Sequence, residues 1–127
     1  FVFVLAGFLI SCGNSEKEST MTDIENKIII GSLEVMKEDL GVMEWEQAEQ
    51  ACEHLGNGWR LPSLKELEIV YKNRIQIGGF EEDHYWSSSE PLDASISNAM
   101  MIIRFGIGDQ FYNGKQTPNH VRAVRDL

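Results

Sequence analysis

The sequence predicts an α+β domain in which two helices pack on one side of a small antiparallel sheet, with irregular connections between its strands. Three observations carry this. An early segment is dense in β-branched residues, two later segments repeat their apolar residues at helical spacing, and the last third breaks into short apolar runs separated by Gly and Pro. With 127 residues, 43% of them hydrophobic, the chain has the material for one compact core. Its 11 Lys+Arg face 20 Asp+Glu, a formal net charge of −9, which excludes a basic nucleic-acid-binding surface. Two Cys supply neither a disulfide-dense scaffold nor a four-thiolate zinc site.

Residues 27–36, KIIIGSLEVM, suit a pleated, half-buried surface and are expected to form one or two strands bent at Gly31. Residues 37–41 read as a charged turn. Trp45, Ala48, Ala51 with Cys52, and Leu55 then recur at three- to four-residue intervals, which predicts a helix stopped by Gly56-Asn57-Gly58. Cys52 falls on its inner face and is expected to be a packed core thiol. A second helix begins after Leu61-Pro62. Ser63 and Glu66 have the spacing of a capping box, and Leu64, Leu67, Val70 and Tyr71 form its apolar stripe up to Asn73-Arg74. Beyond Gly78-Gly79 the period shortens, and residues 86–89, 99–105, 110–113 and 120–125 read as strands punctuated by Pro91, Gly106, Gly108, Gly114 and Pro118.

The N-terminus has a different character. The first ten residues carry no charge, too short a run for a membrane span but matching the apolar core of a secretory signal. Leu9-Ile10-Ser11-Cys12 resembles the lipobox of bacterial lipoproteins. That resemblance implies that residues 1–11 are a truncated lipoprotein signal peptide and that Cys12 carries the lipid. Residues 12–26 then form a flexible acidic tether, and 27–127 the domain. Gly13 after the Cys argues against retention at the inner membrane, and Glu16 with Glu18 resembles surface-export signals. The expected location is the bacterial cell envelope, lipid-anchored at the outer membrane or cell surface.

Within the domain, an ordered series of segments resembles the Lcl C-terminal domain family, also called the Fibrobacter-type major paralogous domain. The series is Leu33-Glu34-Val35, Met43-Glu44-Trp45-Glu46-Gln47-Ala48, Gly58-Trp59-Arg60-Leu61-Pro62-Ser63, Ile77-Gly78-Gly79-Phe80, Tyr85-Trp86-Ser87-Ser88-Ser89-Glu90 and Val121-Arg122-Ala123-Val124-Arg125. The resemblance implies a C-type-lectin-like fold whose first and last strands pair and whose long loops lie above the sheet. It assigns structural duties to Trp45, Trp59, Arg60, Pro62, Trp86, Arg122 and Arg125. Against the family pattern, Glu44 offers the first helix a poor N-cap, and 81–84 is unusually acidic.

Ligand contacts are expected in the upper loops, at Glu81, Glu82, Asp83, His84, Glu90, Asp93 and Asn98, with Asp109, Tyr112 and Lys115 beside them. Glu81-Glu82-Asp83-His84 has cation-binding residue types, but consecutive side chains diverge, so a solvated acidic loop is expected rather than a metal site. Glu90-Pro91 is similar to the start of a sugar-specificity motif of calcium-dependent lectins, but Leu92 follows and no Trp-Asn-Asp strand does. Oxidases of related fold need a Cys pair, which lipidation of Cys12 removes. Ser87, Ser88 and Ser89 lack the strand-turn-helix elbow of a nucleophile, and no triad order links His54, His84 and His120. Arg104, Lys115, His120, Arg122 and Arg125 gather late in the chain, where surface charge and internal ion pairs are expected rather than an anion-binding face.

These readings converge on a non-catalytic, lipid-anchored binding or adhesion module for an extracellular glycan or protein, with no cofactor, no metal and no nucleic-acid partner. Two other roles fit the sequence. One is a diversified receptor of a retroelement system, for which residues 98–119 hold only Asn98, Asn113 and Asn119; the other is a structural subunit of an envelope assembly.

Overall fold

The computed structural model describes residues 27–127, so Cys12 and the tether of the sequence analysis lie outside the described residues. Strands β1 (Lys27–Ile30) and β2 (Leu33–Met36) form an antiparallel hairpin turning at Gly31, whose φ of 62° lies in the left-handed region. The last strand, β8 (Val124–Asp126), joins the other side of β2, placing Val35 opposite Val124. The last strand thus pairs with the second strand of the hairpin rather than with the first.

The second sheet has the order β3-β7-β4-β5-β6, built from β3 (Gly41–Met43), β4 (His84–Trp86), β5 (Ala99–Arg104), β6 (Gln110–Gly114) and β7 (Asn119–Val121). Its pairings are antiparallel except where β4 meets β7 in parallel at Tyr85 and His120. Helix α1 (Trp45–His54) and helix α2 (Leu64–Lys72) precede β4, with a short third helix, α3 (Arg74–Ile77), after α2.

The two helices begin by different devices. Glu44 makes no side-chain cap on α1, and the Trp45 amide instead donates to the Lys115 carbonyl at 3.0 Å. The capping box of α2 is complete. The Glu66 amide donates to Ser63 Oγ at 3.2 Å, and the Ser63 amide to Glu66 Oε1 at 2.9 Å. Arg60 binds this box to the end of the chain, reaching Glu66 Oε1 at 2.7 Å and Asp126 Oδ1 at 2.9 Å. The carboxyl of Glu66 is held below its ordinary range, chiefly by that Arg60 bond.

The helices lie on opposite faces of the five-stranded sheet, not on one side. Trp45, Ala48 and Cys52 of α1 pack with Trp86, Met100, Ile102 and Val121. Leu67 and Val70 of α2 pack with Tyr85, Ile103 and Phe105, and with Leu33, Val35 and Val124 of the three-stranded sheet. Tyr85 and Trp86 are neighbours in β4, so their side chains project to opposite faces and each face needs its own helix. Trp59 and Leu61, between the helices, complete the α1 core.

The segment 120–125 forms not one strand but the ends of two, split at Arg122 and Ala123 and shared between the sheets. The cause is the Arg122 side chain, which is fully buried. Its Nε donates to Asp39 Oδ1 at 2.7 Å, Nη1 to the Met36 and Gly78 carbonyls, and Nη2 to the Gly79 carbonyl at 2.7 Å, while the guanidinium lies 3.8 Å from the Phe80 ring centroid. Asp39 also accepts from the Tyr85 hydroxyl at 2.7 Å, and the Tyr85 phenol is pushed above its usual range by burial and by that carboxylate. Only glycine fits at position 79, because a Cβ there would come 2.8 Å from the Lys37 carbonyl oxygen.

Candidate binding face

The loop from Ser87 to Asn98 is anchored at both ends. Ser87 is buried, its amide and hydroxyl donating to the Met101 carbonyl at 3.0 and 2.8 Å, and the Met101 amide donates back to the Ser89 carbonyl. Ser88 donates its amide to the Pro62 carbonyl, and Ser89 Oγ accepts the Leu64 amide at 2.9 Å, serving the first turn of α2. The serines therefore extend the β4–β5 pairing irregularly, where the sequence suggested a strand at 86–89, and the hydroxyls of Ser87 and Ser89 are committed to scaffold bonds. At the far end Asn98 adopts a left-handed φ of 57°, a conformation Asn tolerates, and its carbonyl accepts the Lys115 amide at 3.0 Å. Between them, Asp93 Oδ1 accepts from the amide and hydroxyl of Ser95 at 3.0 and 2.7 Å, which closes a tight turn and holds its carboxyl low.

This loop separates two depressions. One, of about 300 Å³, is polar and lined by Glu90, Ser97, Asn98 and Lys115 together with Ile96 and Met100. Lys115 Nζ sits 4.7 Å from the Trp45 ring centroid, a cation–π contact that fixes the ammonium at the rim. The other, of about 440 Å³, is apolar and formed by Leu64, Leu92 and Met101, with Lys65, Glu90 and Gln110 at its edges. Leu92 is wholly exposed. Glu90 belongs to both, and no ion pair or hydrogen bond engages its carboxylate among the described residues.

The residues expected to share one upper face divide into two groups. Glu90, Asn98 and Lys115 come together, with Asp93 in the same loop. Glu81, Glu82, Asp83, His84 and Asp109 lie at the opposite end of β5, where His84 pairs with Arg104 and Asp109 forms an ion pair with Arg104. β5 is six residues long, so roughly 16 Å separates the groups at ~3.3 Å per residue. Tyr112 stands midway, opposite Met101, its ring 4.8 Å from that of Phe111.

The acidic segment does not converge. The Glu81 amide donates to the Tyr85 hydroxyl, Asp83 Oδ1 accepts the His84 amide, and Asp83 Oδ2 lies 3.4 Å from His120 Nε2. Among the described residues, no three His, Cys, Asp or Glu side chains could hold a metal ion. The late basic residues do not share a face either. Arg122 pairs with Asp39, Arg125 with Glu34 at 2.5 Å, Arg104 with Asp109, and His120 Nδ1 lies 3.4 Å from Asp39 Oδ2. Trp45, Trp59, Pro62 and Trp86 are buried, while Arg60 and Arg125 tie neighbouring elements. Cys52 is buried, and that burial pushes its thiol up to about 12.

Sequence reasoning missed Lys65, Leu92 and Met101. In the sequence Leu92 interrupts a lectin motif, and the signal that marks it is an apolar side chain in a polar loop.

The model of the Lcl C-terminal domain family matches residues 15–125. Among solved structures, the fold is similar to the botrocetin complex with the von Willebrand factor A1 domain (TM-score 0.58, 10% identity, covering 80% of this chain and 97% of the other). It is similar to the snake venom toxin convulxin (0.59, 14%, 80% and 96%) and to rhodocetin in complex with the integrin alpha2-A domain (0.55, 15%, 80% and 97%). These likenesses show a C-type-lectin-like fold. No curated protein matches.

Proposed function

The chain belongs to the Lcl C-terminal domain family, and we propose that it is a non-catalytic binding module, lipid-anchored through Cys12 outside the cytoplasm, which engages an extracellular protein or glycan through the loop 88–98. The observation that carries this reading is the pair of adjoining depressions with Glu90 between them. A wholly exposed Leu92 beside an apolar hollow, with the unpaired Glu90 carboxylate at its edge and the positioned Lys115 ammonium at the rim of the adjoining depression, offers what a contact centre needs. Apolar surface can be desolvated there while nearby polar groups fix orientation. Two of the proteins sharing this fold, botrocetin and rhodocetin, were solved bound to protein domains, which favours a protein ligand over a glycan. The lipobox at residues 9–12 and the polar stretch after it support the anchored display.

An array of glycans and matrix proteins, probed with the chain in the presence and absence of a calcium chelator, tests this. Binding that survives chelation and is lost in Leu92→Asp is expected. A bound ligand that leaves with calcium would contradict the loop chemistry described above, and the absence of any bound ligand would sink the reading.

A further inference from the structure

Strand β6 is the outer strand of the five-stranded sheet. Its hydrogen-bonding phase is fixed at both ends, by the Arg104 amide donating to the Asp109 carbonyl and the Lys115 amide to the Asn98 carbonyl. Residues 109, 111, 113 and 115 therefore face β5, and the amides and carbonyls of Gln110 and Tyr112 point outward. No hydrogen bond among the described residues takes them up. Exposed edges are ordinarily defended by charge, Pro, a bulge or shortness. The other edge strands, β1, β3 and β8, are three residues long or carry a charged residue. β6 reads QFYNG, five residues with no charge and no Pro, and Phe111 is 48% exposed on it.

We propose that β6 is the contact strand for a second copy of this chain, formed by antiparallel pairing of two β6 strands across a two-fold axis at Tyr112. The occupant follows from charge. In a chain of net charge −9 most surfaces repel a second copy, whereas β6 is neutral. Centring the axis on Tyr112 keeps the outward phase in register, sets Gln110 against the partner's Gly114, and sets Asp109 against the partner's Lys115. Asp109 is already paired with Arg104 and Lys115 rests on Trp45, so each end sets a carboxylate beside an ammonium and no like charges face each other across this self-complementary interface. The two central sheets merge into one of ten strands. Gln110 and Lys115 also border the depressions beside the loop 88–98, whereas Glu90 lies outside the pairing, so Glu90→Ala is expected to leave the contact intact and separates the two surfaces.

The test uses the full chain in neutral detergent. In a hydrogen-bonded antiparallel pair, facing Cα atoms are ~5.5 Å apart, within disulfide reach. Tyr112→Cys is expected to give a disulfide-linked dimer under mild oxidation well above the level of the unsubstituted chain and of Ser97→Cys. Sedimentation is expected to show a concentration-dependent dimer that Tyr112→Pro weakens by about ten-fold or more, since Pro removes an outward amide and spares the β5 ladder. Lys115→Glu, which opposes Asp109 with a like charge, is expected to weaken it as well and provides the answer if circular dichroism shows the Pro variant unfolded. A monomer at ~0.5 mM, where a contact of even millimolar affinity populates dimer, overturns the proposal. So does a dimer unaffected by a folded Tyr112→Pro, or cross-linking at Tyr112→Cys no greater than at Ser97→Cys.

Discussion

Arg122 shows how one side chain can organise a chain this small. Its guanidinium gathers Asp39, three carbonyls and the Phe80 face, and joins segments more than 80 positions apart. Removing one partner of a buried pair leaves the other uncompensated, so Arg122→Met is expected to lower unfolding free energy by about 3 kcal/mol or more in denaturant titration. Cys52 makes a separate prediction. Burial holds its thiol at about 12, so at pH 8 it resists alkylation in the native protein and reacts once the protein unfolds. The duties of these two residues were unequally visible in the sequence. Cys52 lies on a helix whose own period points it inward, which is local information. Arg122 alternates with Val121 and Ala123 as an exposed strand residue would, and nothing local signals that Asp39 waits at the other side of the fold.

At the scale of elements, local rules located α2 because Ser63 and Glu66 complete a box within four residues. Ser63→Ala is accordingly expected to cost about 1 kcal/mol, whereas Glu44→Asp, which supplies the cap α1 lacks, is expected to stabilise by about 0.5 kcal/mol. The Glu66 carboxyl sits below its unfolded value, so its contribution is complete above the ordinary carboxylate range and fades as pH falls through the lower folded value. The stability gap between the parent and Glu66→Gln is therefore expected to narrow on acidification below pH ~4.3. The elements that escaped sequence reading are the shortest. β3 has three residues and α3 four, too few for a period, and each is held by tertiary partners. The break between β7 and β8 escaped for the same reason, since Arg122 takes its bonds from distant loops.

For the whole molecule, the ordered family motifs made the fold legible, because they are the large buried residues that any such domain needs. The candidate face was legible only in part. Glu90, Asn98 and Lys115 do gather, whereas the acidic residues 81–84 and Asp109, close in composition, lie a β5 length away. Sequence proximity could not reveal on which end of the sheet each loop would emerge. The proposed lipid attachment at Cys12 has its own test. Labelled palmitate is expected to be incorporated into the chain in bacterial cells and to vanish in Cys12→Ser. The decisive measurement compares affinities for one array-identified ligand across two sets of variants. If the loop 88–98 is the contact centre, Glu90→Gln and Leu92→Asp each weaken binding by about ten-fold or more, and Glu81→Gln with Glu82→Gln changes it less than about two-fold. The opposite ranking, with the acidic end carrying the affinity and the loop silent, would show that the binding face has been placed at the wrong end of the sheet.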